Sequence, residues 1–85
     1  MQIYYSPRFR RVYKKLPLAL KLKVEARENL FRLNPFDPRL DTHKLHSEYR
    51  NFWSFWITGS YRIMFDFSGK DEVTFINIGD HDIYR

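Results

Sequence analysis

The fold is decided by Tyr61-Arg62-Ile63-Met64-Phe65-Asp66-Phe67, where large apolar side chains recur at every second position. Such alternation is typical of a β-strand with one buried face, because successive side chains of a strand point to opposite sides of the sheet. The expected core side chains are Tyr61, Ile63, Phe65 and Phe67, and the expected open-face side chains are Arg62, Met64 and Asp66.

Two similar runs flank this stretch, at residues 52–57 and 72–78. The connections are Thr58-Gly59-Ser60 and Ser68-Gly69-Lys70-Asp71, which are short glycine-containing segments typical of hairpins. The three runs therefore predict an antiparallel meander. Residues 2–5 indicate one more short strand at the start of the chain.

Two helices are predicted between that first strand and the meander. Ser6-Pro7 is a helix start, with Ser as N-cap and Pro at the first helical position, where its missing N–H costs nothing. Pro17 separates this helix from a second one at residues 18–33, which the two prolines of segment 34–38 end. We therefore expect one α+β domain over residues 1–85, with two N-terminal helices packed on a small antiparallel β-sheet.

The second predicted helix carries two apolar lines. One line is Leu20, Val24 and Phe31, and the other is Leu22, Ala26, Leu30 and Leu33. Lys23 and Arg27 fall between the two lines. Either both side chains extend past the edge of the core, or the second line is partly exposed and contacts a partner.

Positive charge is concentrated in the first half of the chain. The net charge is +5, yet residues 1–33 hold nine Lys and Arg against two Glu, and the remaining residues hold six basic against eight acidic side chains. This distribution predicts a basic face for nucleic acid, an anionic surface or an acidic protein. The other reading is an ordinary solvated helix surface.

The composition excludes several classes of protein. The chain has no cysteine, which removes a disulfide scaffold and any thiolate zinc site and fits a reducing compartment. No apolar run approaches the length of a membrane span, and the first residues lack the charged and apolar regions of a signal peptide. We expect a cytoplasmic protein without membrane contact.

The three histidines, His43, His46 and His81, all lie outside the predicted helices and strands. Three interpretations are possible. The first is a metal site, since these histidines and Asp80 are competent ligands, but no established zinc spacing is present and no metal site is predicted. The second is acid–base chemistry, because imidazole titrates near neutral pH, and the third is that these are ordinary surface histidines.

Four segments in order carry a resemblance to a known family: Ile3-Tyr4-Tyr5-Ser6-Pro7-Arg8-Phe9, Lys14-Lys15-Leu16-Pro17, Gly59-Ser60-Tyr61-Arg62-Ile63-Met64-Phe65 and Ile78-Gly79-Asp80-His81-Asp82-Ile83-Tyr84-Arg85. Over essentially its whole length the chain resembles the RelE/ParE superfamily of toxins from bacterial toxin–antitoxin modules. The ending is most similar to the RelE/YafQ-like branch. The resemblance implies a microbial RNase fold of two N-terminal helices on a small antiparallel sheet.

The resemblance also implies an activity. Many members cleave mRNA, commonly on the ribosome, without metal or cofactor, and a cognate antitoxin holds them inactive. The 2′-hydroxyl of the RNA attacks the adjacent phosphate and leaves a 2′,3′-cyclic phosphate and a 5′-hydroxyl. The protein must remove one proton, stabilise added negative charge and protonate the leaving oxygen.

Particular residues match the catalytic positions of that branch. The resemblance implies acid–base roles for His81 and His43, and a role for Arg62 against the scissile phosphate. Tyr84 matches a terminal aromatic residue that stacks on a base or assists proton transfer. Trp56 departs from the pattern, since relatives commonly carry arginine or histidine there; it either stacks on RNA or leaves the catalytic set incomplete.

The basic helices are expected to contact rRNA phosphates in a ribosome-dependent nuclease, and an acidic antitoxin in any toxin. The expected contact residues are Arg11, Lys14, Lys15, Lys21 and Lys23. Two other functions stay open. One is a ParE-like toxin that inhibits DNA gyrase by binding, although that branch generally lacks the C-terminal histidine. The other is an inactive relative that only binds its antitoxin.

Overall fold

The structure is a computed structural model and describes residues 1–80. Its helices are α1 (Pro7–Lys14) and α2 (Leu18–Leu33), and its strands are β1 (Gln2–Tyr5), β2 (His43–Lys44), β3 (Trp53–Thr58), β4 (Tyr61–Gly69) and β5 (Glu72–Gly79). Two short 3-10 helices, Pro38–Leu40 and Ser47–Tyr49, lie between α2 and β3. The predicted α+β class, both helices and the meander are confirmed, and β2 is an addition that the sequence did not indicate.

The five strands form one sheet in the order β1-β5-β4-β3-β2. Strands β3, β4 and β5 pair antiparallel, as expected for a meander. The predicted small antiparallel sheet is confirmed for the meander, and the sheet is mixed because β1 pairs in parallel with β5 at one edge. The Gln2 N–H donates to the carbonyl oxygen of Asp71 in the β4–β5 turn. The start of β1 therefore lies beside the start of β5, and the two strands run in the same direction.

The start of α1 follows from its cap. The Ser6 hydroxyl oxygen accepts a hydrogen bond from the Phe9 N–H at 3.0 Å, and the same hydroxyl donates to the Ile76 carbonyl oxygen at 2.6 Å. One side chain thus satisfies a free helical N–H and ties α1 to β5.

The core lies between the helices and one face of the sheet. Phe31 of α2 is its centre, with a ring centroid 4.7 Å from that of Phe55, 4.9 Å from Phe65 and 5.6 Å from Phe75. All four side chains are fully buried. Aromatic rings therefore supply much of the apolar burial of a chain too short for a large aliphatic core.

Two of the expected face assignments along β4 are wrong as statements of burial. Phe67, expected in the core, is 40% exposed. It lies at the end of the sheet, where its only ring neighbours beyond the core, among the described residues, are Phe36, which is itself 52% exposed, and Trp53. Met64, expected on an open face, is only 4% exposed. It is flanked on that face by its paired neighbours Ser54 and Asn77, which are also buried.

The two apolar lines of α2 differ in their surroundings. Val24 and Phe31 of the first line are buried in the core. The second line is divided: Leu30 packs against the core, whereas Leu22 and Leu33 are 56% and 86% exposed. Within residues 1–80, neither helix has the length and apolarity that a bilayer crossing requires.

Candidate functional site

The face of the sheet opposite the helices carries two rows of side chains. Paired residues of neighbouring strands point to the same face. The first row, from β2 to β5, is His43, Ser54, Met64 and Asn77, and the second row is Trp56, Arg62 and Gly79. The sheet register therefore brings His43 and Arg62, which are distant in sequence, to the same face.

Arg62 is held by an acidic residue from the loop before β2. Its Nη2 donates to Asp41 Oδ2 at 2.7 Å, while its Nη1 lies 3.5 Å from both the Asp41 carbonyl oxygen and Ser54 Oγ. The hydrogen bond from Arg62, with its positive charge, lowers the pKa of the Asp41 carboxyl group. The Arg62 side chain is 20% exposed and Asp41 is 68% exposed, so the pair lies at the rim of the face.

His43 contacts the same acidic residue. Its Nδ1 lies 3.0 Å from the Asp41 carbonyl oxygen. Since a carbonyl oxygen only accepts, this hydrogen bond places a proton on Nδ1 and leaves Nε2 of the neutral ring with a free lone pair. His43 is exposed, so Nε2 can take a proton from a group that approaches the open face.

Asp41 is the residue that sequence reasoning missed. It follows the 3-10 helix Pro38–Leu40 and adopts the left-handed conformation, with φ 48° and ψ 44°. Aspartate is one of the few non-glycine residues that tolerate this region. An aspartate after a proline-initiated turn and two residues before a candidate histidine was the available signal, but its contact with Arg62 depends on the packing of the loop.

The other predicted site residues lie elsewhere. His81 and Tyr84 fall outside the described residues. His46 is exposed and precedes the 3-10 helix Ser47–Tyr49. Nowhere in residues 1–80 do three or more His, Asp or Glu side chains come together in a way that could hold a metal ion.

Trp56 is adjacent to Arg62 but is not a free platform. Its Nε1 donates to the Gly59 carbonyl oxygen at 2.9 Å, and the guanidinium of Arg27 covers one face of its ring. The ring is half-buried. At most one ring face therefore remains for stacking with a base.

The predicted basic contact residues lie on the helices, on the opposite side of the sheet from Arg62. Arg11, Lys14, Lys15 and Lys23 are exposed. Lys21 is half-buried; its Nζ donates to the Lys14 carbonyl oxygen and lies 5.7 Å from the Tyr13 ring centroid. The structure thus separates the basic surface from Arg62 and His43.

A cleft of about 280 Å³ opens between α1 and α2. Tyr5, Phe9 and Tyr13 line it on one side, with Glu25 and Glu28 on the other. The Tyr5 hydroxyl donates to Glu28 Oε2 at 2.8 Å, and burial, together with that carboxylate, raises the pKa of Tyr5. This cleft is on the helical side and does not reach the Asp41–Arg62 pair.

Comparison with known proteins gives clear structural neighbours but no relative by sequence. No protein-family model matches the chain, and no curated protein matches it in sequence. It is similar in structure to a YoeB/ParE toxin from Agrobacterium tumefaciens, with a TM-score of 0.80, 18% identity, and 95% of this chain and 99% of that chain covered. YafQ from E. coli gives a TM-score of 0.76 at 20% identity, with 98% and 96% covered.

A third neighbour was solved with its partner. The RelB–RelE antitoxin–toxin complex from Methanococcus jannaschii contains a chain that matches with a TM-score of 0.73 and 20% identity, covering 95% of this chain and 94% of that one. All three matches extend over nearly the full length of both chains. The two helices and the five-stranded mixed sheet therefore form the fold of the YoeB, YafQ and RelE toxins.

Proposed function

We propose that the chain is the toxin of a toxin–antitoxin module and acts as a metal-independent endoribonuclease that cleaves mRNA on the ribosome. One observation carries this proposal: Arg62 and His43, whose neutral ring carries its lone pair on Nε2, both contact Asp41 at the rim of the sheet face opposite the helices. The fold shared with YafQ and RelE supports it.

The residues would divide the reaction as follows. His43 Nε2 takes the proton from the 2′-hydroxyl as that oxygen attacks the phosphate, and the P–O5′ bond breaks. The Arg62 guanidinium stabilises the negative charge that develops on the phosphate oxygens. This electrostatic stabilisation is stronger at the partly buried position of Arg62 than it would be in water. His81, which the sequence resemblance also assigns to acid–base chemistry, would protonate the leaving 5′ oxygen, and Tyr84 would stack on a base.

The basic surface would serve docking rather than chemistry. Arg11, Lys14, Lys15, Lys21 and Lys23 would contact rRNA phosphates. Because these side chains lie on the helical side, binding through them leaves Arg62 and His43, at the rim of the opposite face, accessible to the mRNA. Base-independent phosphate contacts of this kind are steeply weakened by salt.

A cognate antitoxin is the proposed protein partner. Solved neighbours include the RelB–RelE complex and a DinJ–YafQ complex from E. coli. On this chain, Leu18, Leu22 and Leu33 of α2 are 72%, 56% and 86% exposed and project from the basic half. An acidic antitoxin with an apolar stripe would match both features of this helix.

The test is cleavage of mRNA by the purified chain on translating ribosomes, with the cut ends mapped by primer extension. We expect 5′-hydroxyl ends, and we expect Arg62→Lys to lower kcat by roughly 100- to 1,000-fold, because lysine keeps the charge and loses the planar fork. Arg32→Lys is the matched control, since Arg32 pairs with Glu28 on α2, on the helical side of the sheet. Intact mRNA together with gyrase-dependent DNA breaks would instead indicate a ParE-like toxin.

A further inference from the structure

Asp41 contacts both of the candidate catalytic side chains that lie within residues 1–80, Arg62 and His43. The Asp41 carboxylate accepts from Arg62 Nη2 at 2.7 Å, and the Asp41 carbonyl oxygen lies 3.0 Å from His43 Nδ1. The short contact with Arg62 uses the carboxylate, whereas the contact with His43 uses the carbonyl oxygen, from which Arg62 Nη1 is a longer 3.5 Å. The side chain and the backbone of Asp41 can therefore be tested separately.

We propose that Asp41 is the positioning residue of the site, orienting Arg62 through its carboxylate and His43 through its carbonyl group so that both address one phosphate. This inference rests on the proposed function for its catalytic consequence. Its structural part concerns the free protein alone.

Asp41 is suited to this role because its neighbours fix it in place. Leu40 is fully buried in the core, and the Thr42 hydroxyl donates to the Pro35 carbonyl oxygen. The left-handed conformation at Asp41 lies between these two anchors. A residue whose backbone is anchored on both sides loses less further entropy when its side chain orients a partner, and this is what preorganisation of a site requires.

The contact with Asp41 leaves Arg62 able to bind an anion. A guanidinium has five N–H groups. Among residues 1–80, Asp41 Oδ2 engages one on Nη2, and Nη1 makes longer contacts of 3.5 Å with the Asp41 carbonyl oxygen and Ser54 Oγ. The Nε–H and the second N–H of Nη2 are then the donors for a phosphate oxygen. If Asp41 acted instead as a competitor that blocks Arg62, its removal would raise activity, so the sign of the change decides between the two roles.

The first experiment uses Asp41→Asn and Asp41→Gly. Asparagine tolerates the left-handed region and removes only the charge, whereas glycine also frees the backbone. Asp71→Asn and Asp71→Gly are matched controls, because Asp71 is exposed, also has a positive φ of 57° and also forms one ion pair, with the N-terminal amine at 3.3 Å.

NMR of the free protein reads the two contacts directly. In Asp41→Asn we expect faster rotation about the Arg62 Nε–Cζ bond, with the Nδ1–H tautomer of His43 retained. In Asp41→Gly we expect both faster rotation of the Arg62 guanidinium and loss of the Nδ1–H tautomer of His43. In the Asp71 variants we expect neither property to change. Unchanged Arg62 rotation in Asp41→Asn would overturn the inference, whether or not the chain cleaves RNA.

Cleavage kinetics test the consequence. For Asp41→Asn we expect kcat to fall roughly 10- to 100-fold while KM stays within about twofold, because misplacement of a catalytic group slows the chemical step. An equal or higher kcat in an active protein would overturn the positioning role. A wild-type chain that fails to cleave RNA contradicts the proposed function, and the NMR result still decides whether Asp41 orients Arg62 and His43.

Discussion

The guanidinium of Arg27 lies over the indole ring of Trp56, with its Cζ atom 4.7 Å from the ring centroid. Arg27 Nε also donates to the Ile57 carbonyl oxygen at 3.1 Å. Arg27 comes from α2 and Trp56 from β3, so this pair joins the helical layer to the edge of the sheet beside Arg62. Arg27 therefore does not extend past the core edge into solvent, as one reading of the sequence suggested.

Removal of Arg27 should loosen this edge. We expect Arg27→Ala to lower the free energy of unfolding by about 1–2 kcal/mol, through loss of the cation–π contact and of one hydrogen bond to a backbone carbonyl. In a Trp53→Phe background, the emission of Trp56 should move to longer wavelength as its ring is uncovered. Arg32→Ala is the control, because its i,i+4 pair with Glu28 is a surface ion pair worth less than about 1 kcal/mol. Equal losses in the two variants would contradict the assignment.

Phe31 should be one of the most sensitive positions in the chain. It is fully buried against three other phenylalanines, so Phe31→Ala should cost about 3–5 kcal/mol in the free energy of unfolding. Leu33→Ala, two residues later on the same helix, should change it by less than about 0.5 kcal/mol, because Leu33 is 86% exposed. Denaturant unfolding at constant m-value measures both. If Phe31→Ala and Leu33→Ala lowered the free energy of unfolding equally, α2 would not pack with Phe31 in the core and Leu33 in solvent.

Acid should weaken the contact between Asp37 and Arg39. Hydrogen bonds from the Arg39 side chain and backbone N–H lower the pKa of Asp37 from 3.8 to about 2. Because the folded pKa is below the unfolded one, the stabilisation is fully present above the unfolded pKa and is lost as pH falls toward 2. The stability difference between the wild type and Asp37→Asn should therefore shrink between pH 5 and pH 2, as followed by urea unfolding at each pH. Repeating the comparison in an Arg39→Ala background should abolish most of that pH dependence.

Salt should report the proposed docking surface. The double variant Lys14→Gln and Lys15→Gln should reduce the slope of log affinity for ribosomes against log salt concentration by about 1.5, since two phosphate contacts are lost. The control removes two exposed charges from the other half of the chain, through Arg50→Gln and Lys70→Gln. Binding curves at several salt concentrations decide the matter, and an equal loss of slope in the control would indicate that net charge alone governs association.

Much of the fold could be predicted because it depends on local chemistry. The Ser6-Pro7 cap, the prolines after α2 and the alternation along β4 each act within a few residues. They correctly predicted the start of α1, the end of α2 and the existence of strand β4. The resemblance gave Arg62 and His43 as two of four candidate catalytic residues, and the pairing of β2, β3 and β4 places these two on one face. Their chemical roles stay predictions.

The tertiary structure alone decided which residues complete these contacts. The pairing of β1 with β5 joins segments about seventy residues apart, and no local pattern encodes a partner at that distance. The burial of Met64 and the exposure of Phe67 depend on which neighbours cover each position, and strand alternation carries no information about coverage. Asp41 reaches Arg62 across 21 residues of sequence because a buried leucine anchors the loop that precedes β2. Sequence by itself thus determined both helices, four of the five strands, and Arg62 and His43 as candidates. Long-range packing, which sums many weak contacts, added β2 and Asp41 and decided how Arg62 and His43 are held.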